Sequence, residues 1–264
     1  MAALALLASA GGAGAAPTIV SINLCSDQLG LALADRAQIL AVGRLAADPA
    51  LSALHREAAG LPTVRGAAEE VLALKPDLVL SGAYRERKTN ELLRRMGFRV
   101  AALTAPDDVP ALAALLRRVG AEVGHPGRGE RAAQAVTDLF REPPEGRGMA
   151  VLVWRPNGFV SGRGTLVDAA LAAAGLDNAA TRAGIGAWGT MPLERLATMP
   201  PDLLVLDDHI TDKASRAQAL LVHPVLARLA PPMRIGAVAT RDWLCAGPWM
   251  AAAVARLRAL KAGP

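Results

Sequence analysis

The sequence predicts an α/β fold of two lobes, each with a central, mostly parallel sheet flanked by helices. Three observations carry that expectation. Apolar strand-like runs alternate with helical stretches along most of the 264 residues, the pattern of a wound parallel sheet. One helix–Pro-Asp–strand unit is written twice: residues 69–82 read EEVLALKPDLVLSG and residues 194–207 read ERLATMPPDLLVLD. Glu194 stands to Pro201-Asp202 as Glu69 stands to Pro76-Asp77, 125 positions earlier (194 minus 69), and a unit used twice suggests two similar lobes. Finally, the longest helical region lies between the two copies. The expected division is a first lobe over residues 17–105, a connecting helical region over 106–148 and a second lobe over 149–264.

The elements follow in order. Residues 18–24, TIVSINL, form a strand. Cys25-Ser26-Asp27 is a turn, and Ser26 or Asp27 is a suitable N-cap for a helix running through Ala34. Residues 39–43 form a second strand. Residues 44–62 are irregular, with Pro49 and Pro62 as breaks. In the repeated unit Ala68, Val71 and Leu72 fall at i, i+3 and i+4, so one helix face is apolar. Lys75 precedes Pro76 and is pushed out of the helical region, which stops the helix. Leu78, Val79 and Leu80 are a continuous apolar run, the mark of a strand covered on both faces. Residues 84–88 are a polar loop, 90–96 a helix stopped by Gly97, and 98–103 the next strand.

From residue 107 the sequence reads helical, DDVPALAALLRRVGAEV, with Pro110 in the first turn where it is tolerated. Gly124-His125-Pro126-Gly127 interrupts it, a second helix follows over 128–140, and 142–148, with two prolines and two glycines, closes the connector. The second lobe opens with a strand at 149–154, a turn at 155–158 and a return at 159–161. SGRGTLVDAALAAAGLDN, 161–178, is a glycine loop and a helix capped at Thr165 and stopped by Gly175. Residues 184–189 are a loop carrying Trp188. After the second copy of the unit come Asp208-His209, a helical stretch over 215–229, a strand at 234–239, a loop at 243–249 and a final helix at 250–261.

Hydrophobic residues make up 52% of the chain, so it packs a core rather than remaining disordered. Aromatics are only 3%, so leucine, valine and alanine fill that core. The net charge of +5 rests on scattered arginines with no basic run interleaved with aromatics, and a nucleic-acid partner is not expected. Residues 1–16, MAALALLASAGGAGAA, have the apolar and small-residue regions of a secretory signal, without its positive n-region. They are too short to span a bilayer, which takes ~20 residues. The expectation is a soluble, exported protein. Cys25 is not preceded by the small residues of a lipoprotein site, and no lipid anchor is expected.

In order and spacing these pieces resemble the periplasmic binding proteins that serve ABC importers of cobalamin, ferric siderophores and haem, and most of all the cobalamin-binding members. TIVSINLCSDQL matches that family's first strand and turn, EEVLALKPDLVLSG its Glu–helix–Lys-Pro-Asp–strand unit, and SGRGTLVDAALAAAGLDN its second-lobe glycine loop and helix. The resemblance covers nearly all of residues 17–264. It implies a periplasmic location and two lobes joined by a rigid helix, with ligand held between them and little closure. It also implies that Glu69 and Glu194 meet arginines of the membrane permease. Two exposed carboxylates on similar lobes make a two-point dock for guanidinium groups, while a carboxylate at a helix start is also favourable on its own.

Ligands of open α/β sheets sit beyond the carboxyl ends of the strands. That rule nominates Asn23, Cys25, Asp27, Tyr84, Arg85, Trp154, Arg155, Phe159, Trp188, Asp208, His209, Trp243 and Trp249 as the cleft lining. All four tryptophans fall at strand ends or in loops, which favours a flat ligand for indole to stack on. Arg85 and Arg155 suit ligand carboxylates, and Tyr84, the one tyrosine, is a candidate haem ligand. For Cys25 and Cys245 three readings stand: buried free thiols, the expected state; a disulfide across the lobes; or ligation of a metal carried by the ligand. No resident metal or cofactor is expected.

A corrinoid carried as a monomer to an ABC permease is the first expectation, with a ferric siderophore or haem next. The rival is a tetrapyrrole chelatase. Such an enzyme needs a His and carboxylate cluster, and Asp208 and His209 have no second histidine at metal spacing. The chain also has no P-loop, nucleophile elbow or HExxH, and no enzymatic activity is expected.

Overall fold

The computed structural model describes residues 16–141, 148–207, 221, 223–229 and 232–263. The expected secretory signal, most of the 142–148 closure, Asp208, His209 and part of the 215–229 helical stretch lie outside the described residues.

The first lobe is a five-stranded sheet. Strands β1 (Ile19–Ser21), β2 (Ile39–Gly43), β3 (Thr63–Val64), β4 (Leu78–Gly82) and β5 (Val100–Leu103) are all parallel, in the order β3-β2-β1-β4-β5. Helices α1 (Leu24–Leu33), α2 (His55–Ala58), α3 (Ala68–Leu74) and α4 (Arg87–Arg95) flank it. The connector is α5 (Val109–Glu122) and α6 (Pro126–Leu139). The second lobe carries a four-stranded parallel sheet in the order β11-β10-β6-β8, made of β6 (Met149–Trp154), β8 (Leu176–Asn178), β10 (Leu203–Asp207) and β11 (Arg234–Val238). A short antiparallel ribbon of β7 (Phe159–Ser161) and β9 (Trp188–Thr190) adjoins it. Its helices are α7 (Leu166–Ala173), α8 (Ala179–Arg182), α9 (Leu193–Thr198), α10 (Pro224–Leu229) and α11 (Met250–Ala262).

Both sheets are buried on both faces, as the unbroken apolar runs predict. Alternate residues go to opposite sides. Leu78 and Leu80 pack with Leu29, Leu33, Leu112 and Leu116, while Val79 packs with Val71 and Leu93 on the other face. In β6, Val151 and Val153 join the first of these clusters, while Leu152 and Trp154 enter a separate one with Met191 and Leu196. One continuous core therefore runs from the first sheet through the connector, at Leu112, Leu116 and Val136, into the second sheet.

The repeated unit does the same work twice. Lys75 ends α3 in the left-handed region, with φ 47°. Asp77 then accepts hydrogen bonds from the Thr18 amide at 2.9 Å and the Thr18 hydroxyl at 2.7 Å, just ahead of β1. In the second lobe Asp202 accepts one from the Ala150 amide at 2.7 Å, at the start of β6. Each Pro-Asp step thus fastens the opening of its lobe's first strand.

The connector is closely packed. A Cβ on Gly120 would stand 2.6 Å from the Gly129 Cα, so the backbones of α5 and α6 approach as only glycine allows. Arg117 grips Glu130 bidentately at 2.6 and 2.9 Å. The Gly-His-Pro-Gly corner is tied to the first lobe: His125 Nε2 lies 2.8 Å from Gln38 Oε1, and Arg128 donates to Asp35 at 2.6 Å.

Several expectations need correction. α1 begins at Leu24 under an Asn23 cap, not under Ser26 or Asp27, because the Asn23 side chain reaches the Cys25 amide at 3.0 Å. Residues 44–62 hold a 3-10 turn, Arg44–Ala47, as well as α2. Strands β3, β8 and β9 are each two or three residues long, too short for any alternation to show.

Candidate functional site

A cavity of about 340 Å3 opens between the lobes. The first lobe contributes Asn23, Cys25, Tyr84, Arg85 and Glu86, and the second contributes Arg155, Trp188, Trp243, Cys245 and Met250. Thr104, Ala105, Pro106, Asp107 and Leu115 line it from the connector side. Sequence reasoning missed those five, since a stretch leading into a helix carries no binding signature.

The first-lobe wall is polar and built at the carboxyl ends of β1 and β4. Asn23 caps α1 through Oδ1 and donates from Nδ2 to Glu86 Oε1 at 3.1 Å. It ties the turn that bears Tyr84 and Arg85 to the start of α1. Glu86, another residue the sequence reading missed, keeps its second oxygen buried with no hydrogen bond among the described residues. Its space exists because residue 82 has no side chain; a Cβ there would collide with Glu86 Oε2. Tyr84, 73% exposed, stands at the rim beside exposed Arg85.

Asp27 does not line the cavity. It is wholly buried behind the wall, where Oδ1 accepts the Gly43 amide at 3.1 Å and Oδ2 has no hydrogen bond among the described residues. Burial pushes its carboxyl up to about 6, against the help of Ser21 and the Gly43 amide and with added repulsion from Glu86.

The second-lobe wall is aromatic. Trp188 on β9 is half exposed and stacks on Phe159 of β7, ring centroids 5.7 Å apart and planes 17° from parallel. Phe159 does not reach the cavity; it backs Trp188 from behind. Trp243 is buried, and the Arg155 guanidinium lies 5.5 Å from its ring centroid, within cation–π range. Two tryptophans were misassigned. Trp154 is a core residue with no exposed surface, its indole N–H donating to the Met191 carbonyl at 2.8 Å. Trp249 packs against the main core and donates to the Cys245 carbonyl at 2.7 Å. The remaining nominees, Asp208 and His209, fall outside the described residues.

The cysteines are not free thiols. Cys25 and Cys245 form a disulfide that joins the lobes across 220 residues, with Cα atoms 5.1 Å apart. Chain separation says nothing about proximity, which is why the sequence left the pairing open.

On the outer surface Glu69 and Glu194 occupy matching places in the first turns of α3 and α9. Both are exposed. Capping of α3 falls to Glu70, whose Oε2 accepts the Arg65 and Ala67 amides at 2.8 and 3.1 Å. Glu69 is left pointing outward.

Residues 19–240 match the sequence profile of a family described as periplasmic binding protein. No curated protein matches the chain. Among solved structures, the apo periplasmic heme-binding protein RhuT from Roseiflexus sp. RS-1 is similar at 25% identity and TM-score 0.68, covering 94% of this chain and 97% of that one. A periplasmic heme binding protein from Pseudomonas aeruginosa is similar at 27% identity and TM-score 0.71, covering 92% of each. The vitamin B12 binding protein BtuF of Vibrio cholerae shares the fold at 16% identity and TM-score 0.64, covering 92% of this chain and 96% of that one.

Proposed function

The chain belongs to the periplasmic binding protein family, substrate-binding proteins of transport and not enzymes, and from that premise we propose that it captures an iron tetrapyrrole between its lobes. The observation that carries this reading is the unlike pair of walls. One is an aromatic face of Trp188 backed by Phe159, suited to a flat macrocycle. The other presents Tyr84 at the rim, and a tyrosine oxygen is an established haem-iron ligand. Arg85 and Arg155, one from each lobe, line the cavity and suit the propionates, since guanidinium forms its strongest hydrogen bonds with carboxylates. The protein acts in the periplasm as a monomer and passes its cargo to the permease of an ABC importer, with Glu69 and Glu194 as the two docking points. The similar heme-binding structures, at 25% and 27% identity, add support.

A corrinoid, the first expectation from sequence, is the second reading. It is favoured by tryptophan at the cleft but leaves Tyr84 without a task. A ferric siderophore wants several converging cations, and here Glu86 and Asp107 share the lining with the two arginines.

Titration with ferric protoporphyrin, cyanocobalamin and a ferric catecholate, followed by visible absorbance, tests the assignment. Ferric protoporphyrin should bind and show a tyrosinate charge-transfer band. Tyr84→Phe should abolish that band and weaken binding about tenfold or more, ~1.4 kcal/mol or above. A spectral change with cyanocobalamin alone moves the assignment to the corrinoid; no change with any of the three removes it. Glu69→Ala with Glu194→Ala should leave affinity intact and lower uptake; a collapse of affinity would move both carboxylates out of the docking role.

A further inference from the structure

We propose that the Cys25–Cys245 disulfide is a specificity-determining part of the cleft: it sets the width of the gap, so that a flat ligand is admitted and a thicker one is turned away. This rests on the ligand reading above, but its first observation is independent of any ligand.

Both cysteines line the cavity, and each is anchored to its own lobe. The Cys25 amide is held by the Asn23 side chain at 3.0 Å in the first turn of α1. Cys245 is 1% exposed, and its carbonyl takes the Trp249 indole N–H at 2.7 Å just ahead of α11. The bond therefore joins two rigid points, not two slack loops.

The lobes already share one apolar core that includes Leu112, Leu116 and Val136 of α5 and α6. What that arrangement leaves free is a small pivot of one lobe against the other about the connector. The disulfide lies on the cleft side of that pivot and removes it. A further contact between the lobes, Arg241 Nη1 to the Pro49 carbonyl at 2.8 Å, is exposed and too weak to hold the gap alone. The width of the gap is then fixed covalently, with the Cα atoms 5.1 Å apart at the bridge. A haem is one macrocycle thick over most of its area, whereas a cobalamin carries a nucleotide on one axial face. A slot of fixed width rejects the second by steric exclusion rather than by weaker contacts, the repulsive route to discrimination.

The test compares oxidised protein with protein reduced by a dithiol, which gives up two electrons and two protons to leave two thiols, and with the Cys25→Ser/Cys245→Ser pair. Hydrogen–deuterium exchange on apo protein should rise in residues 23–30 and 243–250 and stay unchanged in α5 and α6. The ratio of cyanocobalamin Kd to ferric protoporphyrin Kd should fall about tenfold once the bond is gone. Unchanged exchange at both segments, or an unchanged ratio, overturns the proposal. A uniform rise that includes α5 and α6 also overturns it, because the bond is then only a stability cross-link. If the oxidised protein binds neither compound the ligand reading fails by itself, and exchange on the apo protein still decides whether the bond holds the gap.

Discussion

The two lobes repeat each other in frame and differ in wall. In each, a short helix runs into a Pro-Asp step, and the aspartate hydrogen bonds the start of the lobe's first strand, Asp77 to Thr18 and Asp202 to Ala150. In each, the strand that follows is buried on both faces. The cleft-facing ends share nothing of this. The first lobe places a polar set there: Asn23 on Glu86, Ser21 on Ser26, Ser81 on Asn90, and Asp27 beneath them. The second places Trp154, Trp188, Trp243 and Phe159 around its strand ends. What is repeated holds sheets together, a demand both lobes share. What is not repeated faces, or stands behind, opposite sides of the cavity between the lobes.

That contrast can be broken experimentally, and the largest effect belongs to the aromatic side. Trp154→Ala removes a fully buried indole and leaves the Met191 carbonyl without its donor. A loss of about 3–5 kcal/mol is expected in urea unfolding; a loss under ~1 kcal/mol would mean that the second-lobe core does not depend on the Trp154 side chain. On the polar side the sign reverses. The folded-state Asp27 carboxyl is raised to about 6 from an ordinary 3.8, so between those values the folded protein binds more protons than the unfolded chain. Stability therefore falls as pH rises from about 4 to about 6 and stays lower above that range. Asp27→Asn should flatten this slope and stabilise the protein at pH 7.5 by on the order of 2 kcal/mol. A steeper slope, or a destabilised variant, would show that the ionised carboxylate is needed in place.

The smallest effects test the frame. Asp202→Ala should cost about 1 kcal/mol and Asp77→Ala should also destabilise, since the two bonds correspond. The acid limb of the Asp77 variant sharpens the comparison. The bonds from Thr18 hold the Asp77 carboxyl below its ordinary 3.8. Its contribution is complete above that value and is lost as pH falls through the lower folded-state value. Asp77→Asn should flatten the stability curve below about pH 4, measured by thermal melts; an unaltered acid limb would deny the aspartate this role.

Much of the frame was legible because its physics is local. Continuous apolar runs in 78–80, 151–153 and 203–205 mark strands covered on both sides, and glycine or proline closes most helices where expected. The cleft was less legible because lining is a property of direction as well as position. Trp154 does stand at a strand end, as read, but alternation along β6 sends it with Leu152 to the far face; counting the two-residue period from Val151 would have placed it. Asn23 and Asp27 were nominated by their place after a strand, yet Asn23 turns toward Cys25 and Glu86 as well as the cavity, and Asp27 turns inward to the Gly43 amide. Glu86 left no signal in a loop, residues 84–88, made up of charged and polar residues. The disulfide needed two lobes in register before its sulfurs could be known to meet.

That covalent link has one more effect. Since 220 residues separate Cys25 from Cys245, a single proteolytic cut anywhere between them leaves both fragments joined. A nicked molecule would still run as one particle until a reductant separates its pieces.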